Sequence, residues 1–257
     1  MWVCELSFDC YQDIVLAEAE PAVRQLLDAL RYNGQILGRE FPTSIHQGWL
    51  GCRVVCPEQD SLHPRHYSRQ VELAIDRLHQ VGLTSPRVQC RGQDLNSDST
   101  DPCESRSWQL LYTSYLHSCS PLRCGEHFAP VPLYRIPPVA NGDFKQVLKW
   151  QEDWEACDQL QMNGSILEHG AVLELALPDS RLARRGRDLA KRIEYLSGIP
   201  TFYYLYRVGG DSLAAEQERP CPGCGGDWRL AEPVHDIFDF LCEPCRLVSN
   251  LSWDFKD

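Results

Sequence analysis

Long apolar runs are missing from this chain of 257 residues. No stretch of about 18 hydrophobic residues occurs, which argues against a membrane-spanning helix. A secretion signal is missing as well, since Met1-Trp2-Val3-Cys4-Glu5 has neither a basic region nor an apolar core. The expectation is a cytoplasmic protein without membrane attachment. Positive charge is scarce: 25 Lys and Arg stand against 36 Asp and Glu, for a net charge of -11. An average surface of that sign repels RNA, DNA and anionic lipid, so any nucleic-acid contact has to be local. Neither G-x-x-x-x-G-K-[ST] nor G-x-G-x-x-G is present, and H-E-x-x-H and G-x-S-x-G are absent too. Nucleotide-hydrolysing and familiar hydrolytic enzymes are therefore disfavoured, and no catalytic residue is assigned.

Cysteine, by contrast, is plentiful. There are 13, an odd number, in a chain long enough to fold without staples and lacking a secretion signal. Free thiols and metal ligation are the better reading than disulfides. Hydrophobic residues at 43% and charged residues at 24% lie far from the composition of a disordered chain, so most of the polypeptide should pack.

The patterning divides this α+β chain into three segments. In residues 1–92, Trp2 to Phe8 alternate as a strand, and Pro21 to Ile36 read as an amphipathic helix through Val23, Leu26, Leu27 and Leu30. Gly48 to Cys56 form a second strand, with a weaker partner over Phe41 to His46. Tyr67 to Val81 form a helix stopped by Gly82, and Pro86 to Cys90 a further strand. The order β-α-β-β-α-β points to a ferredoxin-like sandwich of one sheet and two helices. Gly92 to Ser107 are polar and read as an exposed loop and domain boundary. The middle segment, residues 107–208, is mixed α/β with several helices. It has a strand over Trp108 to Leu116, a proline-punctuated wrap from Cys119 to Pro138, and helices over Phe144 to Leu160, Ile166 to Leu177 and Arg181 to Leu196. The strongly β-prone run Thr201 to Val208 closes it, and a polar tether leads into residues 217–257.

That last segment carries the sharpest motif. Cys221-Pro222-Gly223-Cys224 and Cys242-Glu243-Pro244-Cys245, separated by seventeen residues, form the two-knuckle pattern of a Cys4 zinc ribbon. Each pair of thiols is brought to one metal by a tight turn. Strand-like pieces at Trp228 to Ala231, Ile237 to Leu241 and Leu247 to Trp253 give it a small antiparallel sheet. Four thiolates leave no open coordination position, so the one Zn²⁺ expected here is structural. A redox pair would need a helix after each Cys-x-x-Cys to lower the thiol pKa, and no helix pattern follows either.

With those residues placed, the chain resembles a bacterial family described as zinc-ribbon-containing, nucleic-acid-binding proteins of unknown function. The segments that carry the likeness are CELSFDCYQ, CSPLRCGEHFAPVPLYRIP, WQEDWEACDQLQMNGSILEHG, PTFYYLYR and LCEPCRLVSNLSWDF. The resemblance implies a ribbon on Cys221, Cys224, Cys242 and Cys245 and a nucleic-acid role inferred from that ribbon. It adds no reaction.

Other constellations are weaker. Arg181, Arg184, Arg185, Arg187, Lys191 and Arg192 make one dense basic helix, which would grip a phosphate backbone or else form a solvated face balanced by acids. Alternation over Thr201 to Val208 sets Phe202, Tyr204 and Tyr206 against Tyr203, Leu205 and Arg207. An exposed side could stack bases, while a buried one would simply pack. His117, Cys119, Cys124 and His127 offer a second metal site or a Cys/His nucleophile pair, against plain buried thiols. Cys52 and Cys56, upstream of His63 and His66, share a strand face and read as core. The partner expected is RNA or DNA. The alternative is a protein adapter docking through the ribbon, since residues 217–257 hold twice as many acids as bases.

Overall fold

The computed structural model describes residues 1–116 and 118–255. They form a mixed α+β protein in two compact units. One comprises Met1–Thr100, a short piece ending at Ser120, and Ala129–Leu148. The other comprises Asp101–Leu116, Pro121–Phe128 and the chain from Lys149 onward. No helix among the described residues is long and apolar enough to cross a membrane.

The first unit runs β1 (Trp2–Asp9), α1 (Leu16–Tyr32), β2 (Thr43–His46), β3 (Trp49–Cys56), α2 (Arg69–Gln80) and β4 (Arg87–Gln93), the β-α-β-β-α-β order expected. Its strands lie in the order β2-β3-β1-β4, every pair antiparallel, with Glu5 opposite Arg53 and Gln89. Period-two burial explains why these residues make strands: Cys4, Leu6 and Phe8 of β1 face Val23, Leu26, Leu30, Val71, Ala74 and Leu78 of the helices, and all are buried. Cys52 and Cys56 belong to the same core. Helix α2 starts where Ser68 Oγ accepts the Val71 N–H at 3.4 Å. Helix α1 begins five residues before Pro21, the start expected from sequence. Pro21 supplies no N–H to the Ala17 carbonyl, and both residues lie on the exposed side, where water can satisfy it.

The second unit holds β5 (Gln109–Leu111), β6 (Leu122–Cys124), α4 (Glu168–Ala176), α5 (Arg181–Ser197), β7 (Thr201–Tyr204), α6 (Leu213–Gln217), β8 (Arg229–Val234), β9 (Phe238–Cys242) and β10 (Leu247–Ser249). Helix α3 (Lys145–Asn163) precedes α4 in the chain. The six strands form one sheet in the order β6-β5-β7-β10-β9-β8. Strand β7 runs parallel to both neighbours, Leu111 and Leu247 each lying opposite Tyr203. The last three strands thus continue the sheet of the middle segment instead of forming a sheet of their own. Packing of α5 on β5 and β7 covers one face. Parallel strands in mid-sheet are buried on both sides. Phe202, Tyr203, Tyr204, Leu205 and Tyr206 are accordingly all buried, so no tyrosine face is open for stacking bases. Continuous apolar character, and not alternation, is what this strand needs. It is also shorter than the Thr201 to Val208 run expected, as β5 is shorter than Trp108 to Leu116.

Two segments expected to be solvated are built in. Asp101, in the polar stretch, is fully buried, and the Arg106 side chain is only 2% exposed. The tether contains α6, whose Glu216 is buried between Arg207, at 3.0 Å, and Arg219, at 2.7 Å.

Helix α5 also shows a glycine chosen for space. A Cβ on Gly186 would fall on the Tyr203 ring and 2.7 Å from Trp150 Nε1, whereas one on Gly170, in α4, would meet nothing within 4 Å. Gly170→Ala should therefore raise stability by about 0.5–1 kcal/mol through helix propensity. Gly186→Ala should lower it by about 1–3 kcal/mol through overpacking. Urea midpoints of the two variants check this, and equal shifts of the same sign would refute the close contact.

Candidate metal centres and charged faces

The four C-terminal thiols converge. Cys221, Cys224, Cys242 and Cys245 place their Sγ atoms within 4.8 Å of one another, and Cys224 Sγ lies 3.6 Å from Cys242 Sγ. That separation is far longer than a disulfide, which needs about 2.05 Å, and all four are free thiols. The first knuckle is shaped by backbone: Gly225 N–H donates to the Cys221 carbonyl and Cys221 N–H to that of Gly226, both at 2.8 Å, while Gly223 N–H points at Cys221 Sγ at 3.4 Å. A Cβ on Gly223 would stand 2.7 Å from Cys245 Sγ, so glycine keeps the space between the knuckles open. The second knuckle ends at Arg246, whose φ of 51° turns the chain into β10. Between the knuckles, β8 and β9 are joined through His235 and Asp236, both with positive φ, the signature of a tight hairpin turn. The Gly226 backbone and then the Cys242 thiol lower Cys224 to about 7, and burial pushes Cys242 up. Four sulfur donors around one gap could hold a metal ion.

A second cluster lies in the turn after β6. Cys124 Sγ is 3.5 Å from His127 Nδ1, and the same nitrogen is 3.2 Å from Asp101 Oδ1. Sequence spacing found Cys124 and His127 but not Asp101, which comes from a loop that reads as polar linker. Cys119, buried, does not join this group among the described residues, and His117 lies outside them. The turn is held by Gly125, over which Trp108 lies so closely that no Cβ fits, and by Phe128 at a φ of 57°. Burial, then the hydrogen bond to Glu126, drives the Cys124 thiol up to about 12. Cys124 therefore lacks the lowered thiol pKa of an activated nucleophile. Burial pushes the Glu126 carboxyl up, but the donors that converge on it, the Cys124 thiol and Ser107, outweigh this and hold it at about 2.

On α5 the basic residues separate. Ser180 caps the helix by accepting the Ala183 N–H at 3.0 Å, and Gly198 ends it in the left-handed region. Arg185 is tied to Asp153 at 2.6 Å, and Arg187 to the Pro178 carbonyl at 2.9 Å. Arg181, Arg184, Lys191 and Arg192 are exposed along one stripe with Asp188 and Tyr195. The Arg192 guanidinium stands 5.6 Å from the centre of the Tyr195 ring, which is 79% exposed.

The first unit presents a face that sequence reading missed. On the open side of its sheet, Trp49 stacks on His46 at 3.8 Å and 9°. Arg53, Arg87, Gln89 and Arg91 line the same cleft, of about 490 Å³. Arg53 pairs with Glu5 at 2.9 Å and Arg87 with Asp9 at 2.8 Å. The period-two spacing of Trp49, Gly51 and Arg53 was the available signal.

Comparison with known proteins gives three matches to domains of unknown function: DUF8589 over residues 1–92, DUF2310 over 103–206 and DUF8594 over 210–255. An uncharacterised protein of Haemophilus influenzae is 48% identical over 235 residues, covering 90% of each chain. A second from the same organism is 52% identical over 209 residues, covering 80% of this chain and 98% of its own. A crystal structure of a Deinococcus radiodurans protein, provisionally designated an antibiotic biosynthesis monooxygenase, is 16% identical. It covers 37% of this chain and 97% of that one at a TM-score of 0.27, a likeness too weak to say anything of this chain.

Proposed function

This chain belongs to the bacterial family of those two Haemophilus influenzae relatives, and we propose that its C-terminal strands are a zinc ribbon on a protein that binds nucleic acid. The zinc part rests on the sulfur geometry. A tetrahedral Zn²⁺ with Zn–S bonds of about 2.3 Å sets its sulfurs about 3.8 Å apart, and Cys224 and Cys242 are separated by 3.6 Å. Cys221, Cys224, Cys242 and Cys245 would fill all four positions, so the ion organises the chain and performs no chemistry.

The nucleic-acid part is carried by the open stripe of α5. Arg181, Arg184, Lys191 and Arg192 outnumber the one acid among them, Asp188, in a chain whose net charge is -11. An exposed tyrosine beside guanidinium groups suits a single strand, whose bases stack and whose phosphates need cations. The Trp49–His46 stack supplies a second aromatic surface. Its arginine pairs are open to solvent, where water and salt screen them, so phosphate competes with Glu5 and Asp9 for them.

Changing Arg184, Lys191 and Arg192 together to Ala should weaken single-stranded nucleic-acid binding. It should also flatten the salt dependence by about 2 in log K against log salt, three lost phosphate contacts at about 0.7 each. Filter binding from 50 to 300 mM KCl reads both. Unchanged affinity would remove α5 from the interface. Retention of a protein partner that resists nuclease and salt would favour the adapter reading, for which the acidic balance of residues 217–257 speaks.

A further inference from the structure

We propose that Asp101 Oδ1, Cys124 Sγ and His127 Nδ1 form a second metal centre, for a divalent transition ion of the Zn²⁺ type, with a fourth position open to solvent. Cys124 Sγ and Asp101 Oδ1 both face one ring nitrogen, His127 Nδ1. A Cys-His-Asp nucleophile uses the two ring nitrogens separately, one for the thiol and one for the carboxylate. Here three unlike donors point at one shared position, which is what coordination requires.

The distances agree. Bond lengths of about 2.3 Å to sulfur and about 2.0–2.1 Å to nitrogen and oxygen place tetrahedral neighbours roughly 3.6 Å apart for S and N and roughly 3.3 Å for N and O. The observed separations are 3.5 and 3.2 Å. All three donor atoms lie within 4.8 Å of each other.

The surroundings orient the donors as second-shell groups do. The Cys103 N–H donates to Asp101 Oδ1 at 3.3 Å, and Arg106 Nε stands at ion-pair distance, 3.8 Å, from Oδ2. Charge closes as well. Asp101, Glu126 and a Cys124 thiolate are three anions beside the Arg106 cation, and a divalent ion cancels the remainder. Loading the ion releases the thiol proton, and Glu126 Oε2, which accepts the Cys124 S–H at 3.0 Å, is the group positioned to pass it to water. The His127 side chain is 48% exposed, so the centre is reachable from solvent. Three protein ligands with one open position are the arrangement of zinc sites that bind a water or a small anion.

Metal analysis of the full-length protein, purified without chelator and compared with His127→Gln, tests this. His127 is half exposed, so the variant should fold, which its melting curve verifies. Two equivalents of zinc in the parent and one in the variant are expected. The Co²⁺-substituted parent should lose one thiolate's share of charge-transfer absorption in Cys124→Ser. One equivalent in both proteins would overturn the second centre and leave the four-cysteine site standing. One equivalent in the parent and none in the variant would uphold it and refute the ribbon instead. Two equivalents in both would assign the extra ion to other residues and overturn the proposal.

Discussion

Stripping the ion proposed for Cys221, Cys224, Cys242 and Cys245, by chelation or by Cys242→Ser, should unfold more than the strands that carry them. Apparent binding free energies of structural zinc are about 10–16 kcal/mol, as large as the whole stability of an ordinary domain, about 5–15 kcal/mol. The sequence alone suggests that such a loss stays local, in a tail joined by a tether. The sheet argues otherwise. Strand β10 follows the second knuckle directly, pairs with β9 through Leu247 and Cys242, and pairs with β7 through Leu247 and Tyr203. Tyr203 N–H donates to the Arg246 carbonyl and Leu205 N–H to that of Val248, both at 2.9 Å. When the knuckle opens, β7 loses one of its two neighbours and its buried aromatics meet water. Hydrogen exchange should show the Tyr203 and Leu205 amides losing protection together with those of Phe240 and Cys242. Protection retained at Tyr203 and Leu205 while β9 exchanges freely would mean that the last strands melt alone.

Glu216→Gln should cost about 3–5 kcal/mol, the usual consequence of removing one partner from a buried ion pair. The Glu216 side chain is 3% exposed and its two oxygens serve two arginines. Arg219, whose burial lowers its pKa ahead of the opposing effect of Glu216, is wedged 4.8 Å from the Trp228 ring centre and 4.3 Å from that of Phe240. With the carboxylate gone, two guanidinium groups face each other without an anion. Replacing all three, Glu216→Leu with Arg207→Leu and Arg219→Leu, should recover much of the loss, because no guanidinium is then left without an anion. Denaturant midpoints at constant slope decide the matter. A loss below about 1 kcal/mol for Glu216→Gln would show that the tether is not anchored by this pair.

Helices were legible where their periodicity is local. Val147, Trp150 and Trp154 lie buried along α3 as their spacing requires. The four thiols were legible for the same reason: two residues between cysteines fix a turn whatever surrounds it. The role of Thr201 to Val208 was not legible, because a run of aromatics fits either a half-open surface or a strand buried on both faces. Only the neighbours of β7, from segments far away in the chain, separate the two.

What the sequence by itself determined is therefore the short-range chemistry: the β-α-β-β-α-β order of the first unit, the amphipathic helices and the Cys-x-x-Cys knuckles, each set by residues a few positions apart. What only the tertiary structure decided is the long-range pairing. It joins β10 to β7 in one sheet, buries Glu216 between two arginines, and brings Asp101 to Cys124 and His127. No local pattern announces these contacts, since which distant segments meet depends on how the whole chain buries its apolar surface at once.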